Sequence, residues 1–188
     1  MNIGLYNLKY PARKLIAAVL PHLAHVNPNW VSLSLIPVGI CTALAFYSGH
    51  LLIGAGLIVL RMFLGTLDGL IAEHFQKKSV LGEVLNRLTP ELCDLFLYGA
   101  LALKLPLWGT LALCTSWMTS FTGLIGLSVN RGIQSVGPTG QTDRLAALVL
   151  FSLLSLLPFD YDWLRIFLIW CTLGSLITIS LRLKRVLS

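Results

Sequence analysis

Asp68, Asn86 and Asp94 stand in or beside apolar stretches, with Glu73, Glu83, Arg87 and Glu91 between them. An ionised side chain at bilayer depth is costly, so a carboxylate there is expected to hold a ligand or a partner. Residues three and four apart share one face of a helix. Gly65, Asp68 and Ala72 therefore line one side of a helix, and Gly82, Asn86, Pro90 and Asp94 line one side of the next. Small residues at 65, 69, 72 and 82 let a backbone or a ligand approach closely. Two such helices face to face can hold a divalent cation and a pyrophosphate. A plainer reading exists for some of these groups. Glu83, Arg87 and Glu91, each four apart, form a salt-bridge ladder on one face, adopted here for Glu83 and Arg87 and left open for Glu91. Glu73, beside His74, Lys77 and Lys78, reads as a solvated loop end. For Asp68 the ligand role is preferred over simple satisfaction by a neighbouring helix.

The elements that must position these residues are membrane spans. The chain is 56% hydrophobic and 12% charged, with a mean hydropathy of +0.80, which excludes an ordinary soluble domain. Apolar stretches of spanning length recur throughout, and the spacing predicts six helices at 30–47, 51–75, 81–103, 107–129, 144–157 and 162–183. Before them, residues 10–26 read either as an amphipathic helix lying on the membrane surface, with Pro21 kinking it, or as a plain topogenic leader. A single membrane domain, residues 1–188, is expected, without internal repeat or cleavable signal. The net charge of +6 belongs to this topology and not to a nucleic-acid surface. Lys9, Arg13 and Lys14, then Lys77 and Lys78, then Arg131 and Arg144, and finally Arg182, Lys184 and Arg185 fall on one side. By the positive-inside rule that side, with both termini, is cytoplasmic.

Outside the polar cluster, Gly137, Pro138, Gly140, Thr142, Asp143 and Arg144 form a turn before the fifth span. Its exposed amides and Arg144, with Gly140, make a candidate site for an anionic head group, while Thr142 and Asp143 read as helix caps. Arg61 inside the second span requires a partner within the bundle. Cys41, Cys93, Cys114 and Cys171 have no paired spacing and read as small buried hydrophobes.

The interval Asp68-Gly69-x-x-Ala72 followed by Gly82 resembles the CDP-alcohol phosphatidyltransferase family. Its signature is Asp-x-x-Asp-Gly-x-x-Ala-Arg, eight residues, Gly, three residues, Asp, three residues, Asp. Four positions depart: Gly65 for the first aspartate, Glu73 for the arginine, Asn86 for the third aspartate and Pro90 for the fourth. PNWVSLSL before the first span and GPTGQTDR before the fifth resemble a divergent bacterial branch. In that branch Asn at the equivalents of 65 and 86 is ordinary, and an Asp occurs at the equivalent of 94.

The resemblance implies a six-span protein, often homodimeric, of the cell (inner) membrane. It implies a transferase of phospholipid biosynthesis that moves a phosphatidyl or phospho-alcohol group from a CDP-linked donor to an alcohol acceptor and releases CMP. It implies Mg2+ or Mn2+ held by Asp68, with Asn86 and Asp94 as further metal and catalytic contributors, and a nucleotide beside Asp68, Gly69, Ala72 and Gly82. The rival reading is a pseudoenzyme of the same fold, a lipid-binding or membrane-assembly partner, since three of four expected aspartates are absent. A small transporter lacks the paired broken helices or repeat halves that such proteins use.

Overall fold

The computed structural model describes residues 20–187, and the element order is all-helical among them. Six α-helices follow a 3-10 turn at Leu20–Leu23: α1 (Pro28–Tyr47), α2 (Leu51–His74), α3 (Val80–Lys104), α4 (Pro106–Ser128), α5 (Gln141–Leu154) and α6 (Trp163–Leu187). Each expected span coincides with one of these to within a few residues. The greater part of the expected surface helix, residues 10–19, lies outside the described residues. Its remainder is not α-helical. Leu20–Leu23 makes one tight turn at Pro21, whose missing N–H cannot continue a helical ladder, and Leu20 buries against Leu67 and Ile71 of α2.

Local chemistry accounts for most of the boundaries. Asn27 caps α1, its Oδ1 accepting from Asn29 N at 3.0 Å, with Pro28 in the first turn. Gly49 and Gln76, at φ 84° and 54°, reverse the chain after α1 and α2. Ser79 Oγ accepts from Gly82 N at 3.0 Å where α3 begins. Pro106 opens α4. Asp143 Oδ2 accepts from Gly140 N at 3.0 Å at the head of α5, the capping role expected of it.

Helices α1, α2, α4 and α6 are long and apolar enough to cross a membrane. Helix α3 is equally long, but Glu83, Asn86, Arg87 and Glu91 occupy its first half. Helix α5 has 14 residues, about 21 Å of rise, short of the ~30 Å hydrocarbon core. Exposed Leu52, Ile53, Leu60, Phe121, Leu173 and Ile177 suit a lipid surround. The chain is an all-helical membrane protein.

Packing divides the chain into two compact units, with the boundary inside α3 between Leu97 and Tyr98. In the first unit α1 packs along α2 over buried Leu35, Phe46, Ile58 and Ile71. Gly39 of α1 meets Cys93 of α3 so closely that a Cβ would lie 2.6 Å from its Sγ and 3.1 Å from its Cα. Cys93 also donates to Leu35 O at 3.1 Å. In the second unit α6 packs against α4 and α5 around Tyr98, Leu148, Phe167 and Leu168. Cys93 and Cys171 are buried as expected, whereas Cys41 and Cys114 are exposed on the outer faces of their helices.

A side chain at position 39 has no room, because backbone as well as sulfur stands in its way. Gly39→Leu is expected to cost about 1–3 kcal/mol of stability, read as a lower thermal midpoint in detergent. Gly56→Leu, where nothing lies within 4 Å, should leave that midpoint nearly unchanged.

Candidate functional site

A cavity of about 500 Å3 in the first unit is lined by Pro28, Asn29 and Ser32 of α1, Asp68, Gly69, Ala72 and Glu73 of α2, the Lys77–Ser79 turn, and Val80, Gly82, Glu83 and Asn86 of α3. Of the residues singled out by spacing, Asp68, Gly69, Ala72, Gly82 and Asn86 share this lining. The helical periodicity brings this about: positions 68 and 72 of α2 and 82 and 86 of α3 fall on facing sides, while Gly65, expected on the same face, stays out of the lining. Gly82 earns its size from α1. A Cβ there would sit 2.9 Å from Asn29 Oδ1 and 3.1 Å from Ser79 Oγ.

Asp68 is 2% exposed. Its Oδ2 accepts from Ser32 Oγ at 2.5 Å and its Oδ1 from Gly69 N at 2.6 Å. Ser32 lies within the PNWVSLSL segment, but sequence reasoning assigned it no role of its own; its place one turn after Pro28 and the segment itself are the signals that could have found it. Asn29 of the same segment, whose Oδ1 is buried without a hydrogen-bond partner, was likewise not singled out. The turn beside α2 is anchored by Lys77, whose Nζ donates to Ala24 O at 2.6 Å and Val26 O at 3.1 Å. Glu83 pairs with Arg87 at 2.9 Å along the exposed side of α3, the first rung of the expected ladder.

Asp94 lies apart from this lining. It is 1% exposed and pairs with Arg61 of α2, Oδ1 to Nη2 at 2.6 Å. The same Nη2 donates to Pro90 O at 2.7 Å. This pair is the bundle contact that Arg61 required, and it engages the carboxylate that the sequence offered as a substitute ligand.

Arg144 and Gly140 belong to the second unit. Arg144 is 1% exposed, and its Nη1 donates to Thr139 O at 3.0 Å. Thr139 in turn bonds Thr178 of α6, hydroxyl to hydroxyl at 2.9 Å. Gly137 turns at φ 121°, in contact with the Thr178 side chain. Arg182, counted in the sequence among the terminal charges, is buried in this unit instead. Its Nε donates to Val136 O at 3.0 Å and its Nη1 to Thr119 O at 2.5 Å. Both arginines thus satisfy carbonyls of the loop before α5, Thr139 O and Val136 O, and Arg182 also ties that loop to Thr119 O within α4.

Whether the Mg2+ or Mn2+ implied by the resemblance fits this cavity turns on its donors. Metal ions of this kind take several oxygen ligands, with Mg2+ requiring near-octahedral geometry at ~2.1 Å. Among the described residues no three His, Cys, Asp or Glu side chains come together as a metal-holding group. Three carboxylates line the cavity: Asp68, whose oxygens both accept hydrogen bonds, Glu83, paired with Arg87, and Glu73, which is exposed and also engaged. Pro90 has no ligand atom in its side chain, and Asp94 is held by Arg61. These residues do not fit a two-metal centre.

Comparison with known proteins gives a consistent picture. The CDP-alcohol phosphatidyltransferase family matches residues 25–178. The inner membrane protein YnbA of Escherichia coli (strain K12) is 30% identical over 139 residues, covering 69% of this chain and 68% of that protein. Among solved structures, Mycobacterium tuberculosis phosphatidylinositol phosphate synthase (PgsA1) with CDP-DAG bound superposes with a TM-score of 0.75 at 21% identity, covering 96% of this chain and 93% of that one. The same protein in complex with manganese and citrate gives a TM-score of 0.75, covering 96% and 88%.

Asp94→Asn strands a buried guanidinium, which costs about 3–5 kcal/mol when one partner of such a pair is removed. Denaturation in mild detergent should show that loss. Glu83→Gln, breaking an exposed pair, should cost no more than about 0.5 kcal/mol.

Proposed function

The chain belongs to the CDP-alcohol phosphatidyltransferase family, and from that premise we propose that its first-unit cavity takes a CDP-linked lipid or alcohol donor. The protein then acts in phospholipid biosynthesis, passing a phosphatidyl or phospho-alcohol group to an alcohol with release of CMP. The observation that carries this reading is the convergence of Asp68, Gly69, Ala72, Gly82 and Asn86 on one cavity. The signature residues that survive in this chain, Asp68, Gly69, Ala72 and Gly82, meet there, together with Glu73 and Asn86 at two of the departing positions. CDP-DAG bound in PgsA1 is of the proposed donor class.

In this reading Gly69, Ala72 and Gly82 keep the walls low enough for a nucleotide. Asp68 and Asn86 present polar atoms to it, and Asp68 is held in one orientation by Ser32 and the Gly69 amide. Arg144 of the second unit, buried and bonded to Thr139 O, is assigned to holding its own loop with Gly140, in place of the head-group contact expected from the sequence. The cavity side of the membrane, with both termini, is assigned to the cytoplasm on the placement of Lys77, Lys78 and the terminal basic residues. A homodimer in the inner membrane completes the proposal.

One observation favours a second reading, a pseudoenzyme that binds the donor or lipid without turnover. Asp68 is the one signature aspartate in place, its oxygens are engaged, and Pro90 stands where a fourth carboxylate would be. The test is CMP release by purified protein with CDP-diacylglycerol and a pool of acceptor alcohols, with Mn2+ and with chelator, beside Asp68→Asn. Release above background that falls at least about tenfold in the variant, a barrier change of about 1.4 kcal/mol, supports the transferase. Folded wild-type protein that releases no more CMP than Asp68→Asn supports the second reading.

A further inference from the structure

Helix α5 is too short for the membrane it stands in. Its 14 residues rise about 21 Å, and the first four, Gln141 to Arg144, are polar. The largely apolar remainder, Leu145 to Leu154, rises about 15 Å, half of the ~30 Å hydrocarbon core. Its neighbour α6 has 25 residues, about 37 Å, and is apolar enough to cross. The turn between them, residues 155–162, has the remaining depth to cover.

The chemistry of that turn suits lipid better than water. Leu156 is 64% and Phe159 57% exposed, and Leu157 is exposed between them. Leu150 and Leu153 are exposed just before them on α5, so the patch continues the lipid-facing side of the helix. Loops are kept out of hydrocarbon by unsatisfied backbone groups, and here most are closed locally. The N–H groups of Ser155, Leu156 and Leu157 donate to carbonyls of residues 151, 153 and 154 at 3.0 to 3.2 Å, and Tyr161 N donates to Phe159 O at 2.9 Å. Pro158 brings no N–H at all. Aromatic rings gather alongside, as they do where hydrocarbon gives way to head groups. Tyr161 meets Trp163 edge-on at 5.5 Å, and the Phe151 ring centroid lies within 6.5 Å of those of Trp163, Phe167 and Trp170. Charge returns only at Asp160 and Asp162, the latter paired with exposed Arg165 at 3.3 Å.

We infer that the α5–α6 turn is a wedge embedded in the bilayer. Leu156, Leu157 and Phe159 sit among the acyl chains of the leaflet opposite the basic ends of α5 and α6, with Asp160 to Asp162 at the water line. The bilayer thins around α5 to meet it, the usual accommodation of a span shorter than the hydrocarbon core. Nothing in this placement depends on the donor cavity.

Labelling the unmodified chain in phosphatidylcholine nanodiscs, from the lipid side and from the water side, tests this. A diazirine carried mid-chain on the lipid should leave adducts within residues 155–159 at a yield close to that on Leu150 and Leu153. Hydroxyl radicals made in the aqueous phase should oxidise Phe159 about fivefold or more slowly than in a free peptide of residues 155–162, because water is absent from the hydrocarbon. Oxidation of Phe159 at the free-peptide rate, without lipid adducts, overturns the inference and puts the turn in water. Protection of Phe159 without lipid adducts also overturns it, in favour of a protein cover such as a second copy of this chain.

Discussion

An arginine and an aspartate placed among apolar helices must find each other, because neither tolerates hydrocarbon alone. Arg61 of α2 and Asp94 of α3 do so at 2.6 Å, and the same guanidinium nitrogen also bonds the carbonyl of Pro90. That triple contact fixes α3 against α2 just where proline interrupts the helical ladder. One turn beyond Pro90 toward the start of α3 stands Asn86, and a further turn brings Gly82; both line the cavity. The pair thus sets which face of α3 the cavity receives. It also removes Asp94 from the candidates for chemistry at the cavity, since its carboxylate is committed elsewhere.

The cavity built on this frame departs from the family signature in a coherent direction. Carboxylates are replaced by a glycine, an amide and a proline at positions 65, 86 and 90. The aspartate that remains is held by a serine from α1 at 2.5 Å. The lysine turn at 77–78 lies at the same wall. In the proposed reading donor binding and transfer are separable: the surviving small residues serve the first, whereas the second depends on charge neutralisation at phosphorus.

Much of the fold was legible in the sequence because hydrophobic runs of spanning length leave few alternatives. The bounds of α1 and α2 followed from Asn27-Pro28 and from Ser48-Gly49, whose capping and turning chemistry is local. Helical spacing also sets Asp68 and Ala72 on one face of α2, and Gly82 and Asn86 on one face of α3. What spacing cannot give is the identity of partners on other helices. Ser32 beside Asp68, Asn29 over Gly82 and Asp94 beneath Arg61 are contacts between elements, fixed by packing. Arg182 was misplaced for the same reason. Near a chain end a basic residue reads as a topological charge, yet here it lies buried, bonding carbonyls of residues 119 and 136.

The central claim is that the cavity between Pro28 and Asn86 is a donor site, and Gly82 offers the most direct measurement. It is the point where a side chain would meet Asn29 Oδ1 at 2.9 Å and fill the cavity wall. Saturation binding of CDP-diacylglycerol to wild type and Gly82→Leu, with melting temperatures taken on the same preparations, decides the matter. The account predicts a loss of affinity of about tenfold or more, ~1.4 kcal/mol, in a variant that still folds. Unchanged affinity in folded Gly82→Leu would contradict it and place the donor elsewhere.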